Sequence, residues 1–170
     1  MLEIERKFLV DRAIIRFPAE HSDIRQWYLV RADDRSLRVR EQEDTFVMTL
    51  KVGKGAVRYE IEREILEEEA HALIPHALED PIEKRRYRIF VKDHIWDVDV
   101  FSGPNDGLIL AEIELRDPDE FFARPEWLGI EVTGDPKFLN SHLADHPVNG
   151  WETDFWGDNA ELVSEEKADQ

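Results

Sequence analysis

A period-two alternation of apolar and ionic residues recurs along this chain, and it limits the possible folds more than any other feature. The first instance is "EIERKFLV" at 3–10. Successive side chains of a strand point to opposite faces. Leu2, Ile4, Phe8 and Val10 therefore share one face, with Arg6 as the exception, and Glu3, Glu5 and Lys7 share the other. The pattern predicts strands over 2–10, 26–31, 36–42, 45–52, 57–65, 84–92, 95–101 and 108–115, the second being the least regular. Short polar turns join several of them, such as Asp33-Asp34, "GKG" at 53–55 and 92–94.

The ionic faces are sorted by sign. Arg38 and Arg40 stand on one strand, Lys51 on the next, and Lys84, Arg86 and Arg88 on another. Asp97 and Asp99 share one strand, Glu112 and Glu114 the following one, while 57–65 mixes Arg58 with Glu60, Glu62 and Glu64. One such pair on one strand is ordinarily a solvated face. Like charges set close together repel, so sorting repeated from strand to strand points to a ligand that supplies the missing charge.

Eight antiparallel strands can close into a barrel, which removes exposed edges. Their apolar faces need cover, and the predicted helices at 66–78, 117–129 and 136–144 are the available cover. The expected fold is therefore α+β and mainly β: a closed eight-stranded antiparallel tunnel with a charged interior and helices outside. Buried charges must be paired, solvated or neutralised. Carboxylates would hold a hard cation, and Arg and Lys would grip phosphate oxygens.

Composition fits this reading. The 170 residues are 42% hydrophobic and carry a formal net charge of −17, which argues against nucleic acid as the main partner. There is no cysteine, so disulfides and thiolate metal sites are excluded. No apolar run reaches membrane-spanning length and residues 1–10 lack a signal-peptide pattern, so the expectation is a cytoplasmic protein without a membrane partner. The six His scatter over turns and helices and form no metal motif. The body is expected over 1–151, with an acidic tail at 152–170.

The motifs as a set resemble the CYTH superfamily, the triphosphate tunnel metalloenzymes. The residues that carry the likeness are the opening E-x-E-x-K (Glu3, Glu5, Lys7), "LRVR" at 37–40, "MTLK" at 48–51, "RYEIE" at 58–62, "EKRRY" at 83–87, "WDVDVF" at 96–101, "LAEIEL" at 110–115 and "EVT" at 131–133. They cover about residues 1–145 and are nearest to the short bacterial members that hydrolyse inorganic triphosphate. The resemblance implies Mg²⁺ or Mn²⁺ held by Glu3, Glu5, Glu112 and Glu114. It implies substrate phosphates held by Lys7, Arg38, Arg40, Lys51, Arg58, Lys84 and Arg86, and a catalytic set of Glu3, Glu5, Lys7, Lys84 and Glu114. Glu60, Glu62, Asp97, Asp99 and Glu131 fall at positions that would line the tunnel. One departure is Lys137-Phe138, where relatives often carry an Arg-aromatic pair.

The partner so implied is a small triphosphate or polyphosphate, bound by a monomer or homodimer. Within the superfamily the alternatives are a nucleoside or thiamine triphosphatase and a class IV adenylate cyclase. Those cyclases tend to carry a His-Phe pair ahead of E-x-E-x-K, and this motif starts at residue 3. Outside enzymology the alternative is a polyphosphate-binding module, which could dispense with the carboxylates retained here.

Overall fold

A computed structural model of the chain describes residues 4–53 and 59–151. Glu3, Arg58 and the expected tail at 152–170 lie outside the described residues. The alternating segments form β1 (Ile4–Val10), β2 (Ser22–Ala32), β3 (Arg35–Gln42), β4 (Thr45–Val52), β5 (Tyr59–Ile65), β6 (Ile82–Val91), β7 (His94–Phe101) and β8 (Ile109–Leu115). A short β9 (Leu128–Glu131) follows. They make one antiparallel sheet in the order β5-β4-β3-β2-β6-β7-β8-β1-β9. Among the described residues the count is thus nine strands, not the expected eight. β2 also begins four residues before its predicted start.

β9 replaces the end of the helix expected over 117–129. Pro118 and Pro125 interrupt the backbone there, and local side chains bind the chain in turns instead. Asp117 accepts the Asp119 N–H at 2.9 Å, and Glu120 accepts the Arg116 N–H at 2.6 Å. Phe122 is buried while its neighbour Phe121 is exposed. The segment 66–78 is helical only over α1 (Glu67–Leu73), followed by a 3₁₀ turn at Ile74–His76 that contains Pro75. Near the end, a 3₁₀ turn at Pro136–Phe138 leads to α2 (Asn140–Asp145).

The sheet buries both faces by different means. On the apolar face of β1, β7 and β8, Phe8, Trp96, Val98, Ala111 and Ile113 pack with Ile15 and Phe122 from the connecting loops. On the same face of β3 and β4, Val39 and Phe46 pack on Ala70 of α1. The ionic face is not ionic along its whole length. At one end it carries Leu9, Tyr28, Ile82, Phe101 and Leu110, and these are covered by Phe138 and Leu143.

This corrects the expectation that all helices pack outside. α1 does so, but α2 and the turn before it cap one end of the charged face. Their amphipathic pattern needs an apolar partner, and the alternation places one on that face at the ends of β1, β6, β7 and β8.

Asn105 fastens this cap. Its side chain is 4% exposed, donates to the Leu143 carbonyl at 3.2 Å and accepts the Val148 N–H at 3.1 Å. Alanine would leave both groups unsatisfied in a dry site. Asn105→Ala should cost about 2 kcal/mol, read as a lower denaturant midpoint at unchanged slope.

Candidate active site

Register brings the sorted charges together. Across β1 and β8, Glu5 stands opposite Glu114 and Lys7 opposite Glu112. Across β7 and β8, Asp97 faces Glu112. Across β6 and β7, Arg86 faces Asp99 and Arg88 faces Asp97. A basic strand thus lies beside an acidic one, and both point their charges to the same face. The sorting along the sequence becomes pairing across the sheet.

The result is a continuous ionic chain. Lys84 donates to Asp99 at 2.5 Å. Arg86 donates to both Asp99 oxygens at 2.7 and 2.8 Å, to Asp97 at 2.9 Å and to Glu112 at 3.3 Å. Lys7 Nζ lies 2.8 Å from Glu112 and 3.7 Å from Glu5, and donates to the Phe138 carbonyl of the cap at 3.4 Å. Lys84 is 5% exposed, Lys7 8% and Asp99 1%. Arg86 reaches from β6 to β8, past β7, so its guanidinium lies over the face rather than on its own strand.

Burial and partner charge compete at each group. Burial acts to raise Asp99, but Lys84 and Arg86 outweigh it and hold the carboxyl well below the usual range. At Glu112 burial is likewise opposed, chiefly by Lys7, and the group comes down to about 2. Burial works against the Lys7 ammonium, yet Glu112 and Glu5 raise it above its ordinary value. Full burial pushes Lys84 down, with Arg86 adding repulsion, and the close Asp99 carboxylate is what opposes this. Asp97 is raised, because its burial exceeds the pull of Arg86.

The second half of the face lies on β3, β4 and β5. Lys51 pairs with Glu60 at 2.6 Å, and Thr49 donates to Glu62 at 2.9 Å. Arg40 touches Glu62 only at 3.7 Å. Arg38 has no carboxylate within ion-pair distance among the described residues. The Nε atoms of Arg38 and Arg40 are both buried without a hydrogen-bond partner. Burial, then the neighbouring Arg38, lowers Arg40 against the effect of Glu62; Arg86 repels it as well. The Arg38–Arg40 and Lys84–Arg86 groups therefore sense each other across β2, whose residues on this face from Ser22 through Ile24 and Gln26 to Tyr28 are uncharged. Unsatisfied buried guanidinium N–H groups are costly unless an acceptor reaches them. An anion with several oxygens would supply that acceptor.

The carboxylates on β1 and β8 ask for the opposite. Glu5 and Glu114 are cross-strand neighbours of like charge, an arrangement that destabilises unless a cation lies between them. Their oxygen donors suit a hard divalent ion. Among the described residues no three acidic or His side chains already converge on one point, and Glu3, the remaining expected ligand, is outside them. Glu114 is exposed, whereas Glu112 is engaged by Lys7 and Arg86.

Glu5, Lys7, Arg38, Arg40, Lys51, Lys84, Arg86, Glu112 and Glu114 thus share one face. Glu131 does not: its carboxylate pairs with Arg6, which belongs to the opposite face of β1 and lies over the Phe122 ring at 4.9 Å. This also accounts for Arg6 among apolar neighbours. Two participants escaped the sequence reading: the Phe138 carbonyl and buried Gln26. A backbone carbonyl leaves no side-chain signal, and the irregular 26–31 stretch hid Gln26.

The CYTH domain family matches residues 1–139. The chain is 41% identical over 151 residues to an inorganic triphosphatase of Acetivibrio thermocellus, spanning 88% of this chain and 97% of that protein. It is 37% identical over 152 residues to an inorganic triphosphatase of Nitrosomonas europaea, spanning 85% and 97%. The crystal structure of the inorganic triphosphatase NE1496 shares the fold with a TM-score of 0.63 at 35% identity, over 85% of this chain and 95% of that one.

Asp99 offers a test of the ionic chain. Its folded pKa is depressed, so its contribution to stability is full above its ordinary value of about 4 and is lost as pH falls below that. Asp99→Asn should lower stability at pH 7 by about 3 kcal/mol. The loss relative to wild type should shrink as denaturation curves are taken from pH 5 down towards pH 2.

Proposed function

The chain belongs to the CYTH family, and from that premise we propose that it is a metal-dependent inorganic triphosphatase, cleaving tripolyphosphate to pyrophosphate and phosphate. One observation carries the reading: a single sheet face joins buried, unpartnered guanidinium atoms of Arg38 and Arg40 to an ionic chain through Lys84, Arg86 and Lys7. A polyphosphate is a ligand whose repeated negative charge matches a row of cations on one face. We further propose that the sheet wraps into a tunnel around that ligand. In support, Arg86 reaches Glu112 and Arg40 reaches Glu62, each across an intervening strand on the charged face.

Phosphoryl transfer to water needs positioning and charge neutralisation more than covalent help from the protein. Arg38 and Arg40 would take phosphate oxygens on their free N–H groups, with Lys51 beside them and Arg58 as the remaining substrate contact. Lys84 and Arg86 would take oxygens at the capped end. Their guanidinium and ammonium protons are already aimed by Asp97, Asp99 and Glu112, so little reorganisation is needed as charge builds on the leaving pyrophosphate. Lys7 would neutralise an oxygen while remaining tied to Glu112. Glu3, Glu5 and Glu114, with Glu112 close by, would hold Mg²⁺ or Mn²⁺, and a bound ion of this kind would supply neutralisation at the phosphoryl oxygens. The apolar cap keeps that end of the face dry, which strengthens each of these interactions.

The experiment is phosphate release from tripolyphosphate with Mg²⁺, Mn²⁺ or chelator, with ATP and thiamine triphosphate in parallel. Release is expected with metal and not with chelator. Glu5→Ala should reduce turnover at least 100-fold, and Arg40→Ala should raise KM as well as lower kcat by about tenfold. Release from no triphosphate under any metal would turn the reading to a binding module, and cyclic AMP from ATP to a cyclase.

A further inference from the structure

Lys7 is held from behind as well as in front. β9 ends at Glu131, beside β1, and its pairing with β1 shifts register between Phe8 and Val10. Past that irregularity the Val132 N–H still donates to the Lys7 carbonyl at 2.8 Å. The Lys7 N–H, however, donates at 2.9 Å to the hydroxyl of Thr133 rather than to a main-chain carbonyl. That hydroxyl in turn donates to Glu131 at 2.7 Å, and Glu131 is fixed by two of the Arg6 nitrogens, Nε and Nη2.

A hydroxyl has one proton to give and lone pairs to receive. Thr133 uses both capacities here, and the hydrogen bonds run from Lys7 N–H through Thr133 to the Arg6–Glu131 pair. Arg6 and Lys7 are consecutive residues whose side chains leave β1 on opposite faces. The clamp therefore grips the backbone at the point from which Lys7 reaches Glu112, Glu5 and the Phe138 carbonyl. The pairing of β1 with β8 is regular through Lys7, so the side chain's direction follows the strand, and an acceptor of fixed position behind the Lys7 N–H holds that stretch of backbone in place.

We infer that Thr133, anchored by Glu131 and Arg6, is a positioning residue that sets the direction of Lys7 towards the bound triphosphate. The inference rests on the triphosphatase reading for its effect on catalysis, but the clamp itself can be measured without turnover.

The informative substitution is Thr133→Val. It keeps the shape and puts a methyl where the hydroxyl was, so both the acceptor for the Lys7 N–H and the donor to Glu131 are removed. Thr133→Ser keeps the hydroxyl and serves as the conservative control. In phosphate release from tripolyphosphate, Thr133→Val should lower kcat about fivefold to tenfold while Thr133→Ser stays within twofold of wild type. Tripolyphosphate affinity, measured calorimetrically, should weaken in Thr133→Val but fall no further when the valine is added to Lys7→Ala. Amide exchange at Lys7 should quicken at least tenfold in Thr133→Val and not in Thr133→Ser. Turnover within twofold of wild type in Thr133→Val, an equal loss of affinity in the Lys7→Ala background, or unchanged exchange at Lys7 would each overturn the inference. A wild-type protein that releases no phosphate would count against the triphosphatase reading alone, and exchange at Lys7 would still decide the clamp.

Discussion

Lys84 and Arg86 are cations two residues apart on one strand, and both are turned into the protein. The structure depends on answering that repulsion. Asp99 meets both, with contacts of 2.5 to 2.8 Å, and Arg86 extends the compensation to Asp97 and Glu112. Without the acidic β7 and β8 next to the basic β6, this face could not be buried at all. Strand order is thus tied to charge: exchange of two neighbouring strands would set cation against cation. The other elements follow from this. The apolar face takes the loops and α1, and the apolar end of the ionic face takes α2.

Compensation is uneven, and the proposed function rests on that unevenness. Around Lys7, Lys84 and Arg86 the counter-charges come from the protein and the groups are rigid. Around Arg38 and Arg40 they are incomplete, with two buried Nε atoms left without acceptors. At Glu5 and Glu114 two carboxylates stand opposite each other, with Lys7 3.7 Å from Glu5. One face therefore leaves guanidinium hydrogens without acceptors at one place and sets two carboxylates side by side at another. A polyphosphate and a divalent cation together answer both, whereas either alone answers one. Burial itself raises the stakes, because interactions in a dry site are stronger and unmet ones costlier.

Much of this was legible in the sequence. Period-two alternation is local, so strands such as 36–42 and 45–52 could be placed within a residue or so, and the sorting of Arg38 and Arg40 against Asp97 and Asp99 was visible without coordinates. What depended on distant contact was not. β9 is four residues long and carries no alternation to speak of, and its existence depends on pairing with Phe8 and Val10. The stretch at 117–129 carried a helix start and stop, but two prolines and side-chain-to-backbone bonds from Asp117 and Glu120 prevailed. Glu131 had the right charge for the site, yet Arg6 draws it to the other face. Arg6 among apolar residues was the available signal, and it needed a partner 125 positions away to be understood.

The central claim is that a polyanion and a cation complete the charge on one face of this sheet. Its most direct test is a crystal structure grown with Mn²⁺ and a tripolyphosphate analogue whose bridging oxygens are replaced by NH, with anomalous scattering locating the metal. The account requires the phosphates to lie between Arg38 and Arg40 on one side and Lys84 and Arg86 on the other, with the manganese peak at Glu5 and Glu114. Phosphates bound elsewhere on the surface, or manganese on carboxylates outside this face, would contradict it.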